Sequence, residues 1–336
     1  MTENMKQWVQ DMIAAPRKKP MPILSFPCVQ LMDVTVQQLC TSADLQAEGM
    51  KLIANRVDSC AAVSFMDLSV EAEAFGSEIR FADDEIPTVV GSIVTDEDEA
   101  EALKIPVVGD GRTGLFLEAM EKAMKLITDR PVFAGTIGPY SLAGRLLDVS
   151  EAMILCYEEP DMVHTIMEKT TAFLIDYSNA YKALGANGVV MAEPLTGMLS
   201  PNLAEEFSAP YVKRIVDAVQ SDDFIVIYHN CGDNVAFMAD SIVSCNAAAY
   251  HFGNACELAE MLPRVPEAAL IMGNVDPAGQ ICNGTVDSVR AATLEVLRRC
   301  GHAPNFILSS GCDIPPHAPW ENIDGFFGAA KEFYRA

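Results

Sequence analysis

The sequence predicts an α/β protein, a (β/α)8 TIM barrel with an N-terminal helical extension, and three observations carry that prediction. Eight short apolar runs recur along the chain, most of them separated by stretches with apolar residues at helical spacing. A polar or conformationally special residue closes nearly every run, as expected where barrel strands end and catalytic loops begin. No segment rich in Gly, Ser and Pro interrupts the rhythm, so residues 1–336 read as a single barrel domain.

In order, residues 1–20 are the extension, a helix ending at the basic, proline-flanked Arg17–Pro20. The runs that follow are Met21–Phe26, Cys60–Met66, Pro131–Ile137, Gly188–Ala192, Phe224–Tyr228, Ala247–His251, Leu270–Met272 and Phe306–Leu308. Helical spacing marks Glu151–Leu184, Leu203–Val219, Ala255–Leu262 and Val286–Arg299. The segment from Glu71 to Val108 is an elaboration between the second and third units. Asp67 follows the second run, Gly138-Pro139-Tyr140 the third and Glu193-Pro194 the fourth. His229-Asn230-Cys231-Gly232 follows the fifth, His251 closes the sixth, Asn274 and Asp276 follow the seventh, and Gly311-Cys312-Asp313 the eighth. A doubly wound open sheet is the competing architecture.

Composition narrows the partners. The net charge is −24, from 23 basic against 47 acidic residues, which opposes a sequence-independent grip on nucleic acid or on an anionic membrane. No apolar stretch reaches the length that crosses a bilayer, and the N-terminus carries no apolar core of a signal peptide. A cytoplasmic location follows, with the ten cysteines reduced and most of them acting as small core hydrophobes.

His229 and Cys231 stand two apart at a strand end, a spacing that turns both side chains to one face. Imidazole and thiolate are zinc ligands, and three protein ligands leave one position open in a catalytic site. Cys312, in a Gly-Cys-Asp turn after the last run, is the best-placed third ligand. The competing reading is two buried thiols and a core histidine. A structural zinc site would close with four protein ligands, often from Cys-x-x-Cys knuckles, and the chain has no such pair. Zinc with one neutral imidazole and two thiolates is formally neutral and polarises water poorly. A thiol entering the open position would be deprotonated yet remain nucleophilic, so this shell suits alkyl transfer to a thiol better than hydrolysis.

Tyr228-His229-Asn230-Cys231-Gly232, with Ser310-Gly311-Cys312-Asp313-Ile314-Pro315, resembles the zinc-dependent methylcobamide:coenzyme M methyltransferases of the uroporphyrinogen decarboxylase superfamily. Met66–Gly76, Gly138–Ala143 and Met272–Pro277 match further, and the resemblance runs from about residue 20 to the end. It implies a (β/α)8 barrel and zinc on His229, Cys231 and Cys312. It also implies a small-molecule thiol such as coenzyme M as acceptor, and methylcobalamin or another methylated corrinoid, carried by a separate protein, as methyl donor. The decarboxylase branch fits less well: its N-terminal arginine motif has no counterpart near Pro27–Val36, Arg145 stands where it keeps a tyrosine, and Gly311-Cys312-Asp313 replaces its late Gly-His-Gly. Asp67 lies where that branch keeps its catalytic aspartate, so Asp67 alone does not separate the two. A non-catalytic corrinoid- or metal-binding protein is the remaining alternative.

Glu193 is a candidate for the open zinc position or for orienting the thiol, against a plain rim residue. Asp67 is a candidate substrate contact, with Glu71 four residues on holding the loop. His251, Asn274 and Asp276 are candidate contacts to substrate or corrinoid; a structural histidine and an Asx turn are the competing readings. Arg145 is the one basic group nominated for an anionic acceptor. Gly109-Asp110-Gly111-Arg112-Thr113-Gly114 matches a dinucleotide fingerprint, but the next run ends without an acidic residue to hold a ribose. Met191, Met198, Met261 and Met272 read as core filler.

Overall fold

A computed structural model describes residues 4–335. It contains nine strands: β1 (Ala62–Val63), β2 (Glu78–Arg80), β3 (Thr88–Val90), β4 (Val132–Ile137), β5 (Gly188–Ala192), β6 (Ile225–Asn230), β7 (Ala249–Phe252), β8 (Leu270–Val275) and β9 (Phe306–Ser310). Seven of them form one parallel sheet in the order β1-β4-β5-β6-β7-β8-β9, with helices between, so the α/β class and the alternation follow the sequence pattern. The strands from β4 to β9 are buried along their whole length, as parallel strands covered on both faces must be.

The predicted first strand, Met21–Phe26, does not form a regular strand, and its prolines supply the reason. Pro22 has no N–H to give to β1. The segment nonetheless lies between the two sheet edges: Met21 N–H donates to Leu308 C=O (2.9 Å), and Cys60 N–H donates to Pro20 C=O (3.0 Å). Side chains of β9 take over part of the ladder. Ser310 Oγ accepts from Ile23 N–H (3.1 Å) and Ser309 Oγ donates to Met21 C=O (2.7 Å). The sheet is thus a curled seven-stranded one whose eighth place is held by an irregular extended chain.

Alternation along the strands sorts the side chains into two clusters. Val63, Phe133, Val190, Ala192, Ile225, Ile227, Ala249, Leu270, Met272 and Ile307 pack inward, while Val189, Met191, Val226 and Leu308 pack outward against the helices. Met5, Trp8 and Val9 of the helix Met5–Ala14 join the inward cluster at the N-terminal end of the sheet, with the Trp8 ring 5.8 Å from Phe133 and tilted 59° to it. Residues 1–3 of the predicted extension lie outside the described residues.

Three predicted segments resolve into more than one piece, Leu203–Val219 becoming the helices Pro201–Phe207 and Ala209–Val219. Glu151–Leu184 splits into Val149–Glu158 and Pro160–Leu184, because Pro160 pushes Glu159 out of the helical region (φ −136°, ψ 59°) and then starts the second helix at its first position. Residues 71–108 contain the antiparallel β2–β3 hairpin and a helix, Glu97–Ala102. The hairpin matters for function: Ile86, Pro87 and Thr88 reach over the C-terminal end of the sheet. Among the described residues, no helix is long and apolar enough to cross a membrane.

Candidate metal centre

β6 alternates Ile225, Ile227 and His229 inward, so His229 continues an apolar row and tops it with an imidazole, 2% exposed. The chain then turns sharply. Asn230 Oδ1 accepts from Gly232 N–H (2.9 Å), while its Nδ2 donates to Tyr228 Oη (3.1 Å), and this turn presents Cys231 beside His229. Gly253, after β7, lets the backbones close up: a Cβ there would sit 2.5 Å from Cys231 Cα. Cys312 arrives from the loop after β9. Its Sγ lies 3.9 Å from Cys231 Sγ and 3.5 Å from His229 Nε2.

These separations suit a shared metal. At the bond lengths and tetrahedral angle of zinc, two sulfurs should lie about 3.8 Å apart, and sulfur and nitrogen about 3.6 Å. The three ligand atoms all fall within 4.8 Å of one another, and this is the one such group of three among the described residues. The thiols share a hydrogen bond that holds Cys231 below the usual thiol range, while the same bond, followed by burial, pushes Cys312 up to about 12. A metal held by both sulfurs would have to displace the proton that Cys312 keeps.

Behind His229 the hydrogen bonds run in one direction. Met21 C=O can only accept, so the single Ser309 hydroxyl proton is committed to it (2.7 Å). Ser309 Oγ must then accept from His251 Nε2 (2.8 Å). Burial, with His229 adding to it, holds His251 well below the ordinary imidazole range, so the ring is neutral and its Nδ1 is bare. His229 Nδ1 donates to it (2.8 Å), which turns Nε2 to the cysteine side. Register explains the assembly: β6 and β7 align His229 with His251, and Ser309 shares the inward parity of Ile307.

The triad opens on a cavity of about 330 Å³ lined by apolar side chains of Ile23, Met66, Leu68, Ile86, Pro87 and Pro194. Two ionisable side chains, Arg145 and Asp313, also line it. Burial, and then the Cys312 sulfur, raises the Asp313 carboxyl well above its usual range. A larger cleft of about 580 Å³ at the opposite end, under Trp8 and Met12, contains none of the triad.

The other sequence candidates fall elsewhere. His251 does not face the cavity; it is buried behind His229. Asp67 is sealed under Arg112: Nη1 lies 2.5 Å from Oδ2, and Ser69 binds Oδ1 through N–H (3.0 Å) and Oγ (2.6 Å). Arg112 also grips Glu73 (2.5 Å) and Ser69 Oγ (2.8 Å). It comes from the glycine-rich turn 109–114, which therefore serves as an arginine mount. The left-handed Gly111 (φ 54°) packs on the Ala74 backbone, where a Cβ would meet Ala74 N at 3.0 Å.

Glu193 has the outward parity of Val189 and Met191, so it turns away from the triad. It is fully buried and accepts from Tyr140 N–H (2.6 Å), Ser141 N–H (3.0 Å), Ser141 Oγ (2.9 Å) and Thr196 Oγ (3.2 Å). Burial pushes its carboxyl up to about 7 against these bonds. Every partner is a donor, and Tyr140 and Ser141 stand in the first turn of the helix Pro139–Leu147, which favours the carboxylate. Asn274 ties β8 to the loop after β7 through Gly253 C=O (2.9 Å) and Cys256 C=O (2.8 Å). Asp276 forms the Asx turn, accepting from Ala278 N–H (3.0 Å) and Gly279 N–H (2.9 Å). Ser309, Arg112 and Asp313 are the residues the sequence reading missed. The inward parity of Ile307 would have flagged Ser309; nothing local flags the reach of Arg112.

A curled parallel sheet with a triad of soft donor atoms at the C-terminal ends of its strands defines an α/β enzyme scaffold with a candidate metal site at its mouth. Residues 21–333 match the family model described as Uroporphyrinogen decarboxylase (URO-D), and the chain belongs to that family. Its relatives carry two kinds of name. A uroporphyrinogen decarboxylase from Coxiella burnetii is 25% identical over 307 residues, 88% of this chain and 83% of that protein. A methylcobamide:CoM methyltransferase, MtbA, from Methanosarcina acetivorans is 28% identical over 272 residues, 80% and 78% of the two chains. A solved methyltransferase from Methanosarcina mazei shares the fold with a TM-score of 0.86 at 23% identity, covering 98% of each chain.

Proposed function

We propose that this protein is a zinc-dependent methyltransferase of the methylcobamide:thiol type, holding zinc through His229, Cys231 and Cys312. The observation that carries the reading is the triad itself, whose 3.9 Å and 3.5 Å separations suit a tetrahedral shell with its open side on the cavity. Bound there, zinc would supply a thiolate at neutral pH that keeps its nucleophilicity. Around it, His251 and Ser309 hold the imidazole in the tautomer that leaves Nε2 free. Ile86 and Pro87 help to exclude water from the cavity. Glu193 caps the helix that carries Arg145 to the cavity wall, and Asp67 anchors the loop after β1 through Arg112. The methyl group would come from a methylated corrinoid on a separate protein. A cavity of about 330 Å³ admits a small thiol, and the corrinoid would present its methyl face at the mouth.

Decarboxylation of a tetrapyrrole finds less support. Asp67 does not line the cavity, and the macrocycle would have to enter a space suited to a far smaller ligand. The test is zinc analysis with methylcobalamin turnover: about one zinc per chain, and loss of the methyl–cobalt absorbance when thiol is added. Protein that cannot be loaded with zinc, or methyl transfer that survives full zinc removal, would overturn the proposal.

A further inference from the structure

Two buried polar groups on the cavity wall have no partner. Both carboxylate oxygens of Asp313 are buried without a hydrogen bond, and so is Nε of Arg145. Each lines the cavity that holds the triad, and neither is within ion-pairing reach of the other. Of the other buried acids of this region, Asp67 has Arg112 and Ser69, Glu193 has Tyr140, Ser141 and Thr196, and Glu71, which does not line the cavity, accepts from Ile137 N–H on one oxygen. A buried polar group without a partner is costly, and here a carboxyl and a guanidinium face the same space. The rest of the wall is largely apolar, so water there would find few other partners.

We propose that the methyl acceptor is a small zwitterionic thiol, whose acidic group pairs with Arg145 and whose ammonium group is taken by Asp313 while its sulfur reaches the triad. The proposal rests on the thiol-activating reading of the triad and narrows it to a substrate class. An acceptor with only an anionic tail would satisfy Arg145 but leave Asp313 bare beside the sulfurs. One with only an amine would do the reverse. The step balances with the methylated corrinoid as co-reactant. The thiol proton leaves to solvent, a sulfur lone pair forms the S–CH3 bond, and the carbon–cobalt bond breaks with its electron pair left on cobalt, taking methylcobalt(III) to cobalt(I). The products are a zwitterionic thioether and the reduced corrinoid.

The test compares zinc-loaded protein with four probes: homocysteine as the zwitterion, mercaptopropionate as the acid, mercaptoethylamine as the amine and mercaptoethanesulfonate as a second acid. Methylcobalamin demethylation should favour homocysteine by roughly tenfold or more in kcat/KM, the scale of one charge-assisted hydrogen bond. Equilibrium binding of the corresponding S-methyl products, which needs no turnover, should follow the same order. Asp313→Asn should remove the advantage of homocysteine over mercaptopropionate, and Arg145→Gln its advantage over mercaptoethylamine, with zinc content unchanged in both. Preference for either acid over homocysteine, or selectivity that survives Asp313→Asn, overturns the zwitterion proposal while leaving thiol methylation standing. Zinc-loaded protein that methylates none of the four removes the thiol-transfer reading, and this proposal with it.

Discussion

Removing one hydroxyl far from the cysteines should weaken metal binding. In the chain Met21 C=O, Ser309, His251, His229, the direction of every hydrogen bond is set by the carbonyl at one end. Ser309→Ala frees that constraint. His251 can then carry its proton on Nδ1, which forces His229 to carry its own on Nε2, the atom that must face the metal. Alternatively the original tautomer persists with His251 Nε2–H buried and unpaired, at a cost of about 1–3 kcal/mol. At about 1.4 kcal/mol per factor of ten, zinc affinity should fall roughly 10- to 100-fold. Changes to the outer partners of metal-bound histidines have effects of about that size. Competition with a chromophoric chelator measures the affinity, and 15N chemical shifts of His229 in metal-free protein report the tautomer. Ser309→Thr, which keeps the hydroxyl, should restore both. The reasoning fails if Ser309→Ala binds zinc within about twofold of the parent, well under the interval one lost partner implies.

Three further outcomes follow from the structure. Cys312→Ala should abolish stoichiometric zinc binding while circular dichroism and the unfolding transition stay near those of the parent, because the residue lies on a loop after β9; collapse of the fold would refute that placement. Arg112→Ala leaves Asp67 buried and unpaired, so stability should drop by about 3–5 kcal/mol in denaturant unfolding, and a loss below about 1 kcal/mol would count against the anchor role. Glu71 is fully buried, and burial pushes its carboxyl up to about 7 from an ordinary 4.5. Its raised value means stability is retained below the unfolded pKa and lost as pH climbs through about 7. Glu71→Gln should therefore stabilise the protein by about 2 kcal/mol more at pH 8 than at pH 5.5, and a pH-independent effect would show that Glu71 does not titrate there.

What could be read in the sequence, and what could not, divides along a physical line. The runs Gly188–Ala192 and Phe306–Leu308 became strands because contiguous buried β-branched and aromatic residues leave the chain few other choices. Met21–Phe26 looked as apolar as the others, yet a run is a pattern of side chains and a strand is a pattern of backbone donors, and Pro22 withholds one. The convergence of His229, Cys231 and Cys312 was legible because donor atoms at strand ends of one sheet share its mouth, and both the atoms and the ends are written locally. The positions around them were harder. A strand end alone does not decide which side chains face the mouth, because the strand has two faces. His251 shares the inward parity of Ala249 and lies behind His229 in the packed interior, whereas Glu193 follows Val189 and Met191 outward and caps a helix. Parity along the apolar row separates these two within the sequence itself. Asp67 is different again, because the guanidinium that neutralises it is 45 residues away in a turn resembling a phosphate loop. The glycines there shape the turn to the Ala74 backbone, so the same local pattern serves a protein carboxylate where a nucleotide phosphate would otherwise be sought. A motif read from spacing identifies a backbone shape, and which anion the shape meets is decided by the tertiary contact.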